Sequence, residues 1–213
     1  MIKLFALSSL FLFLMSFNLV AQPSKNGGWT NLFDGKSLNG WKVGENAATF
    51  SVQNGTIVAN GPVAHLFYVG DFNGHDFKNF EFKAQVMTTP GSNSGIYFHT
   101  QYQESGWPSK GYEVQVNNSH TDWRRTGSLY AVQDVRDTLV KDNVWYTEYI
   151  KVEGKKVTIK VNDKTVVEYT EPAGVARGKG SEGRLISNGT FALQGHDPKS
   201  KVFYKDIMVR PLP

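Results

Sequence analysis

Histidine, tyrosine, glutamate and glutamine recur at alternate positions in two neighbouring stretches, Asn93-Ser94-Gly95-Ile96-Tyr97-Phe98-His99-Thr100-Gln101 and Gly111-Tyr112-Glu113-Val114-Gln115-Val116-Asn117. In the first, Ile96, Phe98 and Thr100 share one parity while Tyr97, His99 and Gln101 share the other. In the second, Tyr112, Val114 and Val116 oppose Glu113, Gln115 and Asn117. A period of two predicts strands with one face in a core. A merely solvated face would mix Lys, Glu and Thr. This one carries imidazole, phenol, carboxylate and carboxamide, groups that hydrogen-bond sugar hydroxyls or move protons.

The same parity extends elsewhere. Over 80–87 it turns Phe80, Phe82, Ala84 and Val86 inward and Glu81, Lys83 and Gln85 outward. Over 191–196 it buries Phe191 and Leu193 and turns Gln194 and His196 the other way. If these strands are neighbours, one sheet presents Lys83, Gln85, Tyr97, His99, Gln101, Glu113, Gln115, Gln194 and His196 together. Such a surface suits sugar binding or proton transfer; a polar outer face without a role is the other reading. Double displacement at a glycoside needs two carboxylates, yet Glu113 is followed by Gln115 and Asn117. Glu81 is the evident substitute and lies on another segment. His120 and Asp122 sit in a polar loop with Trp123, as rim or as solvated surface.

The elements that must position these groups are short. Alternating segments at 49–52, 56–59, 80–87, 95–101, 111–116, 128–132, 145–153, 156–161, 164–169, 189–194 and 201–210 lie between Gly, Asn, Asp and Pro punctuation. No long 3.6-residue apolar period appears. This predicts an all-β domain of two packed antiparallel sheets. Hairpins are expected at Glu153-Gly154-Lys155 and Asn162-Asp163, and a loop over 172–183. Asp34 before Gly35 reads as a turn former ahead of a calcium ligand. No shift in composition marks a second domain.

Residues 1–21 read as a secretory signal: Lys3, a mostly apolar run from Leu4 to Val20, and a small residue at Ala21. Residues 22–213 then form one domain, expected in the periplasm or secreted, with no membrane segment after signal removal. The chain has no Cys, so its stability must come from a core. Net charge is +4 with dispersed basic residues, which offers no stripe or motif for nucleic acid. Aromatics make up 13 % of the chain, enough both to fill a β core and to stack on sugar rings.

Several motifs occur in an order that resembles the 3-keto-disaccharide hydrolase domain family. They are Leu32-Phe33-Asp34-Gly35-Lys36-Ser37-Leu38-Asn39-Gly40-Trp41, Asn93-Ser94-Gly95-Ile96, Gly111-Tyr112-Glu113-Val114-Gln115, Thr126-Gly127-Ser128-Leu129-Tyr130 and Leu193-Gln194-Gly195-His196. The resemblance implies a concanavalin A-like jelly-roll sandwich of the lectin/glucanase type. It also implies cleavage of glycosides already oxidised at C3, by hydrolysis or β-elimination. A C3 ketone acidifies the C2 hydrogen, so this route needs a base, an acid for the leaving oxygen and stabilisation of an enediolate. On that reading Glu113 or His99 is the base, His196 the acid, and Lys83, Gln85, Tyr97, Gln101, Gln115 and Gln194 hold the sugar. A divalent metal on His99, Glu113 and His196 is one way to stabilise the charge. An upstream sugar oxidoreductase would supply the ketone. A non-catalytic carbohydrate-binding module and a conventional glycosidase remain the alternatives.

Overall fold

The structure is a computed structural model that describes residues 28–213; the expected leader lies outside the described residues. Two antiparallel sheets pack face to face. The larger contains β1 (Thr30–Asn31), β3 (Phe50–Gln53), β4 (Thr56–Ala59), β6 (Phe80–Thr88), β9 (Tyr146–Glu153), β10 (Lys156–Val161), β11 (Lys164–Thr170) and β13 (Val202–Pro211). Its order is β11-β10-β9-β6-β13-β4-β3, with β1 also on β13. The smaller sheet runs β2-β5-β12-β7-β8, from β2 (Trp41–Val43), β5 (Ala64–Tyr68), β7 (Ser94–Thr100), β8 (Tyr112–Val116) and β12 (Thr190–Gly195). This is the expected sandwich.

Local sequence explains most of the strands and their turns. In β6, burial alternates without a break, with Phe80, Phe82, Ala84 and Val86 inward. Asn54 and Gly55 both adopt positive φ between β3 and β4, as a two-residue hairpin turn with the right-handed strand twist requires. The turns expected at Glu153-Gly154-Lys155 and Asn162-Asp163 close β9–β10 and β10–β11, the first with Glu153 still paired to Lys156 in the strands. Asp34 accepts from the backbone amides of Lys36 and Ser37, each at 2.7 Å, which is the work of a turn former. Between the sheets, Phe77, Phe80, Phe82 and Phe191 interlock with ring centroids 4.7–4.9 Å apart. Each fully buried ring contributes about 1.5–3 kcal/mol.

Two expectations about elements need correction. Segment 128–132 is not a strand; Leu129 makes isolated bridges to Val114 and Gln133 inside a loop. Strand β5 was not anticipated, because Ala64–Tyr68 is buried on both faces and so shows no alternation. Strands β7, β8 and β12 are likewise buried on both sides. Loops over 101–110, 117–140 and 171–189 each bring residues to the outer face of the smaller sheet, among them Trp107, Asp122, Tyr130 and Arg184 around Tyr97 and Glu113. That cover is what turns a sheet face into a pocket.

One core group stands apart. Glu148 on β9 is fully buried, and neither carboxylate oxygen has a hydrogen-bond partner that meets geometric limits. Burial pushes its pKa well above the usual carboxylate range, opposed by the Gly127 backbone amide. Because the native pKa is the higher one, Glu148 favours the fold below its unfolded pKa and progressively destabilises it as pH rises. Glu148→Gln is therefore expected to match the wild type in urea unfolding near pH 4 and exceed it increasingly toward pH 8.

Candidate active site

Glu113 lies on β8 with its side chain on the outer face of the smaller sheet, 6 % exposed. Its Oε2 accepts from the Tyr97 hydroxyl at 3.0 Å, and its Oε1 accepts from Gln194 Nε2 at 2.8 Å. Gln194 Nε2 also reaches the Tyr97 oxygen at 3.1 Å. The register makes this possible: Tyr97 pairs directly with Glu113, and β12 pairs with β7 on the other side. Burial raises the Glu113 pKa, the Tyr97 bond, the charge of Arg184 and the Gln194 bond lower it, and Asp122 raises it again; the balance leaves it at about 7. Such a carboxyl can exchange a proton near neutral pH.

The floor depends on Gly95. A Cβ at that position would lie 2.3 Å from Glu113 Oε1 and 2.9 Å from its Cγ. The glycine of the Asn93-Ser94-Gly95-Ile96 motif is thus the space across which the carboxylate lies. Gln115, one pair along, donates to Asn93 Oδ1 at 3.1 Å. Two buried atoms beside this cluster, Gln194 Oε1 and His65 Nε2, bond no protein group. Unsatisfied atoms of that kind call for an explanation, and a working site is one.

Loops supply the walls of a cavity of about 290 Å³ above Glu113. Asn117, at the end of β8, holds the 120–125 turn: its Nδ2 donates to the carbonyls of Asp122 (2.9 Å) and Arg124 (2.7 Å). This places Asp122 on the wall. Glu171 anchors the 171–189 loop by accepting from Tyr112 Oη and the Ile186 amide, both at 2.6 Å. That loop carries Arg184, whose guanidinium lies 5.2 Å over Tyr130 and lines the cavity. Arg184 is the cation on the wall among the described residues.

His196, just beyond β12, also lines the cavity. Its Nδ1 donates to Asp197 Oδ2 at 2.8 Å. Burial opposes ionisation of Asp197, yet bonds from His196, Ser200 and Lys199 bring its pKa down to about 2. An anionic Asp197 fixes the imidazole with Nδ1–H toward the carboxylate and Nε2 free for proton transfer. His120 stands opposite, ring centroid 5.6 Å away.

The nine residues expected on one face divide into two groups. Tyr97, Glu113, Gln115, Gln194 and His196 meet at the cavity. Lys83 and Gln85 do not, because β6 belongs to the other sheet; Gln85 donates to Thr147 and Lys83 covers Trp29. Glu81 lies there too, bonded by Arg210 and Tyr149. Gln101 falls past the end of β7 and is exposed. His99 has φ 56°, and the β7–β12 register shifts beside it. The alternation breaks at this bulge, and its ring turns in against Phe80 and Phe98. There His99 Nε2 donates to the Lys78 carbonyl at 2.9 Å and Nδ1 accepts from the Ser187 amide at 3.2 Å. Burial lowers its pKa to about 4, so it stays neutral with both nitrogens used.

That occupancy removes His99 from a metal set with Glu113 and His196. The donors that do converge are His120, His196 and Asp197, within 4.8 Å of one another. However, His120 Nδ1 accepts the Asp122 amide at 3.0 Å, which leaves the proton of the neutral ring on Nε2. Joined to the Asp197–His196 bond, this arrangement fits proton transfer better than cation binding.

Residues 28–210 match the 3-keto-alpha-glucoside-1,2-lyase-like domain. The chain belongs to that family. A 3-keto-disaccharide hydrolase of Bacteroides thetaiotaomicron is 28 % identical over 69 % of this chain, and the matched part spans 60 % of that relative's length. Among solved structures, a candidate glycosyl hydrolase from Parabacteroides distasonis superposes with a TM-score of 0.74 at 22 % identity, covering 87 % of this chain and 94 % of that one. Carbohydrate-binding module CBM66 from Bacillus subtilis gives 0.54 at 12 % identity, over 86 % and 95 % of the two chains. At such identities the likeness to these structures is one of fold.

In this lyase-like domain, sequence reading missed Arg184, Trp107, Asp197 and His65. Arg184 and Trp107 lie on loops, where no periodicity reports direction. Asp197 beside His196 was the one legible signal, since adjacent His and Asp can form such a dyad.

Proposed function

We propose that this protein cleaves glycosides carrying a ketone at C3, by β-elimination in the Glu113 cavity. The observation that carries the reading is a buried carboxyl with a pKa of about 7, held by Tyr97 and Gln194 beneath Arg184. Glu113 removes the C2 hydrogen, and the electron pair moves into the ketone as an enediolate. The charge of Arg184 stabilises that anion. Collapse of the enediolate expels the C1 oxygen, which takes the Nε2 proton of His196 reacting as the imidazolium, its Nδ1–H held on Asp197; the ring is left neutral with Nδ1 still protonated. Addition of water to the resulting enone completes net hydrolysis. Neither step requires a second carboxylate. Family membership and the activity named for the Bacteroides relative support the same substrate class.

The expected leader makes the protein an exported one in this proposal, with a sugar oxidoreductase supplying its ketone. No helix among the described residues is long and apolar enough to cross a membrane. The test is an NMR time course with a 3-keto-glucoside and its unoxidised counterpart, with and without chelator. Release from the ketone alone, with loss of the C2 hydrogen and no effect of chelator, is the expected result. Turnover of the unoxidised glycoside would point to a conventional glycosidase, and sugar binding without release to a binding module.

A further inference from the structure

Trp107 is 50 % exposed, yet the loop that carries it is tied down. Gln103 Nε2 donates to the carbonyls of Ser105 and Trp107, each at 2.8 Å, and its Oε1 accepts from the Ser109 amide at 3.0 Å. Glu45 accepts the Gly106 amide at 2.8 Å. Gly44 lets this loop approach closely, since a Cβ there would meet the Gln103 carbonyl at 2.8 Å. Holding a large apolar ring in water on a braced loop has no folding benefit. Trp123, the other exposed indole, is covered by Arg124 and Arg136; it does not line the cavity.

The position of Trp107 suggests what it meets. A ladder of rings rises from the floor: Tyr97 contacts His65 at 5.4 Å, and His65 contacts Trp107 at 5.4 Å. Trp107 also stands 5.7 Å from His196. If His196 protonates the glycosidic oxygen, a ring next to it, set off from Tyr97 on the floor by the His65 ring, faces whatever that oxygen carries away. We propose that Trp107 is the stacking platform for the leaving group, taking the apolar C–H face of a second pyranose. This inference rests on the proposed function for its orientation. It makes the protein selective for disaccharides over simple alkyl glycosides.

The test compares a 3-keto disaccharide with methyl 3-keto-glucoside in the full protein. In Trp107→Ala the disaccharide-to-methyl ratio of kcat/KM should fall about tenfold, carried mainly by KM, and Trp107→Phe should restore most of it. Equal losses on both substrates, or no change in the ratio, would overturn the proposal. A binding arm separates it from the reaction itself. Line broadening of the unoxidised disaccharide should weaken in Trp107→Ala relative to that of methyl glucoside, whether or not the wild type turns over any ketone. If the wild type releases no product but this binding difference persists, the elimination reading fails and the platform stands; equal broadening in both proteins would remove the platform.

Discussion

Glu113→Gln is expected to lower kcat/KM on a 3-keto-glucoside by about 10³-fold, the scale of a lost general base. The carboxamide keeps the shape and can still accept a bond from Tyr97 or Gln194, so the fold should persist. In the wild type, the acid limb of the kcat/KM profile should rise with pH through a midpoint near 7, because the base must be ionised. The same residue has a stability signature. Its native pKa lies above the unfolded value of 4.5, so its contribution is present in full below that value and lost as pH rises to about 7. A shift of this size corresponds to about 3 kcal/mol. Urea unfolding of Glu113→Gln should therefore depend less on pH between 5 and 8. Retained activity in the variant would remove Glu113 from the chemistry.

Gly95→Ala is expected to cost about a hundredfold in kcat with the sheet intact. The added methyl would overlap Glu113, whose Oε1, Cγ and Cδ all lie within 3.0 Å of its ideal position. A carboxylate can swing aside, but this one is fixed by two donors, and moving it breaks both bonds. Displacement of a reacting group by about 1 Å commonly has an effect of that size. Gly95 itself needs no positive φ, so backbone strain does not enter. A kcat near that of the wild type, with a displaced Glu113 in a crystal structure, would show that its position is not demanding.

The parity of side chains was legible because it is local. Phe80, Phe82, Ala84 and Val86 turn inward, as do Tyr112, Val114 and Val116, and Glu113 and Gln115 turn out beside Tyr97 and Gln194. Alternation says which side of its own strand a residue takes, but it does not say which sheet the strand joins. For that reason Lys83 and Gln85, outward as expected, face away from Glu113 on the other side of the sandwich. Strand pairing is non-local, and the pairing of β6 with β9 and β13 decided it.

His99 failed for a different reason. A residue at positive φ breaks the alternation at its own position, and here two glycines make room for it. A Cβ at Gly111 would meet the Phe98 carbonyl at 2.1 Å, and one at Gly189 the Thr100 carbonyl at 2.2 Å. Those glycines are distant in sequence, and their joint effect on β7 exists only once β8 and β12 flank it.

The sequence by itself determined a two-sheet sandwich and the outward parity of Tyr97, Glu113, Gln115 and Gln194, because a two-residue period needs only local sterics and burial; that these four meet was decided by the pairing of β7 with β8 and β12. The tertiary structure alone decided that loops roof this face, raise the Glu113 pKa by desolvation and bring Arg184 and Trp107 to it. Those outcomes depend on where distant segments meet, which no local period records.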